Sequence, residues 1–253
     1  MKIVVLATEG ASTWLLINAL RKDYPDLKLV FELPVSRVRI MWRRLWRLGI
    51  AKVFGQCLFV LYLPILRRES KTHALELIEK AGFSNRPPSD LFLLRFISIN
   101  SEACISWLSA ECPDVVILNG TRIASPGLLA ASDAVYLNTH CGITPAYRGV
   151  HGGYWAVYQR DQKNTGVTIH TVDKGIDTGA IVFQANIEID EEDNFFTYPI
   201  KQYIAGIPLM RQALKNLAEG RPILGVQKNL PSVLWHHPTL LQYLFARWFR
   251  GIR

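Results

Sequence analysis

Continuous apolar runs of strand length alternate with stripes of helical spacing along most of the chain. Residues 2–7, KIVVLA, form the first such run and end in the turn-like TEGAST. WLLINALRKDY follows, with Trp14, Leu15, Ile17 and Leu20 at helical spacing. Strand, small-residue turn and helix together open a βαβ unit. KLVFELP reads as a second strand, THALELIEKAGF as a helix and RFISI as a strand. SEACISWLSAECP reads as a helix, with Ser101 and Glu102 near its start and Pro113 after its end. DVVILNG is an apolar strand closing on Asn119-Gly120, and Ser125-Pro126 opens a short helix. AVYLN is the next strand and GGYWAVYQRD a helix. TGVTIHTVD and GAIVFQANIEI are two strands separated by KGIDT, and YIAGIPLMRQALKNLAEG is a long amphipathic helix. The repeated β-α order predicts an α/β, Rossmann-like fold: a mostly parallel sheet flanked by helices, ending in an antiparallel pair around residues 166–189.

Residues 36–70 interrupt this rhythm and read as a basic, aromatic helical insertion. The run from Leu48 to Leu66 carries one charge, Lys52, and has arginines on both sides. Its length is near the lower limit for spanning a bilayer, but Gly49, Gly55, Gln56 and Pro64 weaken a spanning helix. A buried or interfacial amphipathic helix pair is the better expectation. Arg37, Arg39, Arg43, Arg44 and Arg47 with Trp42 and Trp46 suit lying on anionic lipid. The tail, LWHHPTLLQYLFARWFRGIR, is again basic and aromatic and reads as an interfacial or a core-docking helix. The expected organisation is a catalytic domain over 1–220, with the insertion at about 36–70, and a dependent extension over 221–253.

Composition narrows the class. The 253 residues are enough for one large domain or two small ones. The 29 Lys and Arg against 21 Asp and Glu give +8, a balance that suits phosphate-bearing substrates, nucleic acid or an anionic surface. The four cysteines, at 57, 104, 112 and 141, form no C-x-x-C pair. A disulfide scaffold is not expected, and a reducing compartment is. The first strand has too short an apolar run for a signal peptide. Together these point to a cytoplasmic location, with peripheral contact on the inner membrane face through 37–66 and 240–253.

The chemistry concentrates in LNTHCGITPAYRGVHGGYW, residues 137–155. Asn138 and His140 are two apart at the end of a strand, so their side chains leave on the same side. The carboxyl edge of an open parallel sheet is where ligands bind. The loop VDKGIDTGAI adds Asp173 and Asp177: either could orient an imidazole, and either could merely shape the turn. An amide, an imidazole and a carboxylate suit acyl-type transfer, in which they stabilise an oxyanion, move a proton and hold the imidazole. Cys141 follows His140 directly but points to the opposite face, so a Cys/His nucleophile pair is not expected. His140, His151 and His170 lack a ligand cluster, so no metal is expected, and His170 takes a structural role by default.

Asn138-x-His140, TPAYRG (144–149), GVTIH (166–170) and DKGIDTGAI (173–181) occur in an order and at separations that resemble the formyltransferase family. The resemblance covers roughly residues 1–10 and 93–220. It implies 10-formyltetrahydrofolate as formyl donor. It assigns Asn138 and His140 to polarising the formyl group and moving protons, and it selects Asp177 over Asp173 as the partner of the histidine. It also implies that Gly120, Thr121, Arg122 and Ile123 bind the folate pterin through backbone groups, with the loop containing Asp173 and Gly175 as the opposite wall. The family often has Pro-Ser after the motif histidine, where this chain has Cys141-Gly142.

For the acceptor, Ser12 and Thr13 at a helix start could bind phosphate or simply cap the helix. Tyr147, Arg148 and His151 belong to the loop that would meet the substrate. The short tail does not fit a tRNA-formylating enzyme, and no nucleic-acid partner is expected. The resemblance points to a small phosphorylated amine such as an amino-sugar nucleotide. Glycinamide ribonucleotide is the runner-up, and a membrane-held, non-catalytic module is the third reading.

Overall fold

The computed structural model describes residues 1–226, 228 and 230–253, and the side chains of all of these except 37–41 and 43. The chain runs β1 (Ile3–Ala7), α1 (Ala11–Leu20), β2 (Lys28–Glu32), α2 (Arg37–Leu48), α3 (Ile50–Lys80), β3 (Leu93–Phe96), α4 (Glu102–Glu111) and β4 (Val115–Asn119). It continues through α5 (Pro126–Leu129), β5 (Val135–His140), β6 (Arg148–Gly149), α6 (Gly152–Tyr158), β7 (Gly166–Thr171), β8 (Ile181–Asn186), α7 (Thr197–Ala218), β9 (Leu234–Trp235) and α8 (Leu240–Arg250). Seven strands form one sheet in the order β3-β2-β1-β4-β5-β7-β8. The first five pair in parallel, whereas β7 lies antiparallel to both β5 and β8. The predicted mostly parallel sheet with an antiparallel edge is the observed one. Strand order reverses between β1 and β4, and the carboxyl ends of the strands at such a switch point are where open α/β sheets bind ligands.

The strands are buried on both faces because their alternate residues feed two separate cores. Val5, Leu29, Ile117, Leu137 and Ile169 point toward α1 and α7, against Leu16, Leu20, Ile207 and Met210. Val4, Leu6, Val30, Val116 and Tyr136 point the other way, against α4 and α5 residues such as Leu108 and Leu128. Each fully buried aliphatic side chain contributes roughly 1.5–3 kcal/mol. The Ser101 side chain caps α4 by accepting from the Cys104 N–H.

The basic segment departs from expectation in its extent. The insertion was expected to end at about residue 70 with a separate helix over THALELIEKAGF, yet α3 runs unbroken from Ile50 to Lys80 with Pro64 inside it. Its carboxyl half is the crossover helix between β2 and β3, and Ile78 packs into the main core. Its amino half joins an aromatic third core, in which Phe59 meets Phe195 and Tyr243 at 5.1 and 5.2 Å between ring centres. The segment is thus an amino-terminal extension of a regular crossover helix, with α2 folded back at Gly49. The side chains of Arg37, Arg39 and Arg43, expected to face lipid, lie outside the described residues. The extension 221–253 docks through Tyr243 and Ala246 and supplies β9, which pairs with β6 beside the candidate site.

Candidate functional site

Two loops and two strand ends meet at the carboxyl edge of the sheet. Strand β5 ends at His140, and its register places Asn138 opposite His170 and His140 opposite Thr168 of β7. Opposed residues of an antiparallel pair project on the same side, so Asn138, His140 and His170 share one face. The β7–β8 loop then carries Asp177 back over them, with Asp177 in the left-handed region at φ 52°. Gly179 lets that loop close: a Cβ there would sit 1.6 Å from the Thr171 carbonyl oxygen.

Asp177 lies between two imidazoles. Its Oδ2 is 3.4 Å from His140 Nδ1, and its Oδ1 is 3.7 Å from His170 Nε2. The Gly149 N–H donates to Oδ2 at 2.8 Å. Burial pushes this carboxyl up, but His140 and the Gly149 N–H oppose it, and the carboxyl is held down at about 2. Burial makes His140 less basic than a free imidazole, opposed by Asp177 and the Tyr147 carbonyl. Near neutral pH the pair is therefore a neutral imidazole beside a carboxylate.

The neighbouring carbonyls fix both tautomers. His140 Nε2–H donates to the Tyr147 carbonyl at 2.6 Å, which leaves Nδ1 as the basic nitrogen facing Asp177. His170 Nδ1–H donates to the Thr171 carbonyl at 2.7 Å, which leaves Nε2 as an acceptor. Asn138 Nδ2 donates to that Nε2 at 3.1 Å. The acceptor character of His170 thus decides which way the Asn138 amide points, and one amide hydrogen is left for another acceptor. His170, expected to be merely structural, is part of the cluster. Only the cross-strand register exposes it.

Gly142 is shaped to this site. A Cβ there would lie 2.3 Å from the Tyr147 carbonyl oxygen and 2.7 Å from His140 Nε2, in the space occupied by their hydrogen bond. Cys141 packs against the main core with its thiol pushed up to about 12 by burial and by Asp177, so it does not supply a thiolate at neutral pH.

The other expected site residues divide. The Asp173 carboxylate accepts from the Gly175 N–H at 2.9 Å and the Thr178 hydroxyl at 2.6 Å; it shapes the turn and leaves Asp177 as the carboxylate of the cluster. Arg122 is held by Glu32, with its N–H and its guanidinium each 2.6 Å from that carboxylate. Gly120, at φ 68°, accepts from the Thr8 hydroxyl, and the Ile123 carbonyl accepts from Asn100. Among the described residues, the Thr121 N–H and the Thr121 and Arg122 carbonyls have no intramolecular partner. This loop therefore offers a donor and acceptors from a braced backbone, beside the exposed Ile123 side chain.

Thr13 requires correction as a phosphate ligand. Its buried hydroxyl donates to the Thr8 carbonyl at 2.6 Å and accepts from Asn119 Nδ2 at 2.9 Å. Neither Ser12 nor Thr13 caps the helix, because α1 begins at Ala11 with Gly10 at the cap position. The Tyr147 ring also faces away from the chemistry: it stacks on Trp235, and its hydroxyl donates to Asp161 at 2.9 Å. Only the Tyr147 carbonyl reaches His140. Arg148 donates from Nη1 to the Ile176 carbonyl at 3.0 Å, while its buried Nε has no partner among the described residues. His151 is 2.9 Å from His237 Nδ1, a partner contributed by the carboxyl-terminal extension.

Fold and site together define a doubly wound α/β protein with an Asn–His–Asp cluster, braced by a second histidine, where its sheet switches direction. The chain belongs to the formyl transferase family, whose model matches residues 65–201. A methionyl-tRNA formyltransferase of Pelotomaculum thermopropionicum is 31% identical over 132 residues, covering 52% of this chain and 41% of that protein. A GDP-perosamine N-formyltransferase of Brucella melitensis is 29% identical over 124 residues, covering 49% and 48%. The chain thus spans less than half the length of these two relatives. A sugar N-formyltransferase structure from Shewanella matches over 93% of this chain and 76% of its own, with a TM-score of 0.59 and 13% identity. That likeness is one of fold.

Proposed function

We propose that the protein transfers a formyl group from 10-formyltetrahydrofolate to the primary amine of a small phosphorylated substrate, an amino-sugar nucleotide in the first instance. The observation that carries this reading is Asp177, held ionised against His140 Nδ1 while Asn138 is oriented by His170. The donor, when bound, supplies an activated formyl carbon. The braced loop 120–123 fits it, because its unpartnered backbone groups match a heterocycle edge that both donates and accepts hydrogen bonds.

The chain's own groups then divide the work. The unpaired Asn138 amide hydrogen stabilises negative charge developing on the carbonyl oxygen. The proton lost by the attacking amine is taken up by the His140–Asp177 pair and would pass to the folate nitrogen released when its bond to the formyl carbon breaks. Nδ1 is its natural site, since Nε2 is committed to Tyr147 and an imidazolium there is stabilised by the carboxylate. Arg148, with a spare donor, is suited to an anionic group on the acceptor. The Brucella relative, which by its name acts on GDP-perosamine, supports the amino-sugar class.

The test is an acceptor screen with purified protein and 10-formyltetrahydrofolate, using amino-sugar nucleotides, glycinamide ribonucleotide and methionyl-tRNA. Formylation of an amino-sugar nucleotide is the expected result. Preference for glycinamide ribonucleotide or methionyl-tRNA would overturn the acceptor, and no turnover with any of them would overturn the activity.

A further inference from the structure

The amino half of α3 carries an apolar stripe that faces solvent. Ile50, Phe54, Leu58, Leu61 and Ile65 recur at intervals of three and four, one side of a helix, and Leu61 is 74% exposed. The opposite side is anchored to the protein. Val53, Phe59 and Leu66 are buried, Gln56 donates to the His237 carbonyl at 2.7 Å, and Gly55 abuts Thr239. Helix α8 packs alongside, joined through Phe59–Tyr243 and Arg247–Glu69. It repeats the pattern: Tyr243 and Ala246 are buried, while Leu241, Phe245, Trp248 and Phe249 are exposed. Helix α2 adds Trp42 and Trp46, the latter 85% exposed.

Charge identifies what covers these stripes. Residues 36–68 contain eight of the chain's 29 Lys and Arg and no Asp or Glu. The remainder is balanced, with 21 basic residues against 21 acidic, so this one segment accounts for the whole net charge of +8. Residues 240–253 add arginines at 247, 250 and 253 and no acid. An apolar, tryptophan-bearing surface carried on segments rich in Lys and Arg and free of Asp and Glu repels a second copy of itself and complements a surface that is anionic above and apolar below.

We infer that α2, the amino half of α3 and α8 form a docking surface for an anionic lipid bilayer, on which the protein lies without crossing it. Although α3 is long and apolar enough to span a membrane, its inner side is bound to α8 and the aromatic core. Only the outer stripe is free to enter the headgroup region. The inference goes beyond formyl transfer and does not depend on it.

The experiment is flotation of the full chain with vesicles of phosphatidylcholine alone and of phosphatidylcholine mixed with phosphatidylglycerol. The protein should float with the mixed vesicles and at least ~10-fold less with the neutral ones, and added salt should release it. The triple variant Trp46→Glu, Leu61→Glu, Trp248→Glu should lose binding at least ~10-fold. Because all three positions are exposed, its melting temperature should stay unchanged. The charge variant Arg47→Gln, Arg68→Gln, which leaves the apolar stripe intact, should weaken binding to mixed vesicles only. Failure to float with mixed vesicles, or undiminished binding by the triple variant, would overturn the inference. So would resistance to alkaline carbonate extraction, which marks a spanning helix, or vesicle-independent self-association that the triple variant abolishes.

Discussion

The chemistry of the site rests on where four side chains place their protons. The carbonyls of Tyr147 and Thr171 each take an N–H from an imidazole, and this leaves His140 Nδ1 and His170 Nε2 as the nitrogens with free lone pairs. Asp177→Asn removes the charge that stabilises protonated His140 while keeping an oxygen for the Gly149 N–H. Its kcat should fall by roughly 10²–10³ with little change in melting temperature; a kcat within a few-fold of wild type would show that the carboxylate is not used. His170→Leu should free the Asn138 amide and lower kcat about 10-fold or more with KM nearly unchanged. A loss confined to KM would assign His170 to binding instead. Gly142→Ala should reduce activity by displacing the Tyr147 carbonyl from His140. At this scale Asn138 and His140 were legible because period-two alternation puts i and i+2 on one face. The choice of Asp177 over Asp173 came from family resemblance, and the structure separates the two: Asp173 accepts from the Gly175 N–H within its own loop, whereas Asp177 accepts from the Gly149 N–H across the site. His170 was not legible, because its place depends on the register between β5 and β7.

The strands were the most legible elements, since runs such as VVIL in β4 and LVF in β2 are apolar and buried on both faces. Boundaries shifted where one side of an element is exposed: β3 occupies Leu93–Phe96, slightly ahead of the expected RFISI. Helix α3 was read as two elements because the sequence changes from apolar to charged near residue 67. The helix continues because one face stays buried through both halves, at Phe59, Leu66, Ser70 and Ile78. The β7–β8 loop supports a prediction of its own. Gly179→Ala would drive a Cβ into the Thr171 carbonyl and force the loop away from the sheet. It should cost about 2 kcal/mol or more of stability, lowering the melting temperature and activity together. An active, fully stable variant would show that the loop can place Asp177 without this close approach.

Contributions from distant parts of the chain appear only in the whole molecule. The extension beyond residue 220 brings Trp235 and His237 against Tyr147 and His151, a meeting that no local pattern announces. It also gives the protein an acid sensitivity. Burial lowers His140, His151 and His237 below an ordinary imidazole, His237 to about 4. The unfolded chain binds protons at these positions first, so native stability is full above pH ~6.5 and falls as the pH drops toward the folded values. His237 alone should account for about 2 kcal/mol of this loss at pH ~5. The melting temperature should therefore fall steadily between neutral pH and pH ~5, and His237→Gln should flatten the slope; an unchanged slope would remove His237 from the account. The sheet, its switch point and the cluster at its carboxyl edge support the proposed formyl transfer. Its most direct test is incubation of the purified protein with 10-formyltetrahydrofolate labelled in the formyl group and an amino-sugar nucleotide. Mass spectrometry should find the label on the acceptor's amine with wild-type protein and at a level lower by roughly 10²-fold or more with Asp177→Asn. Equal labelling by both proteins, or label that never leaves the folate, would contradict it.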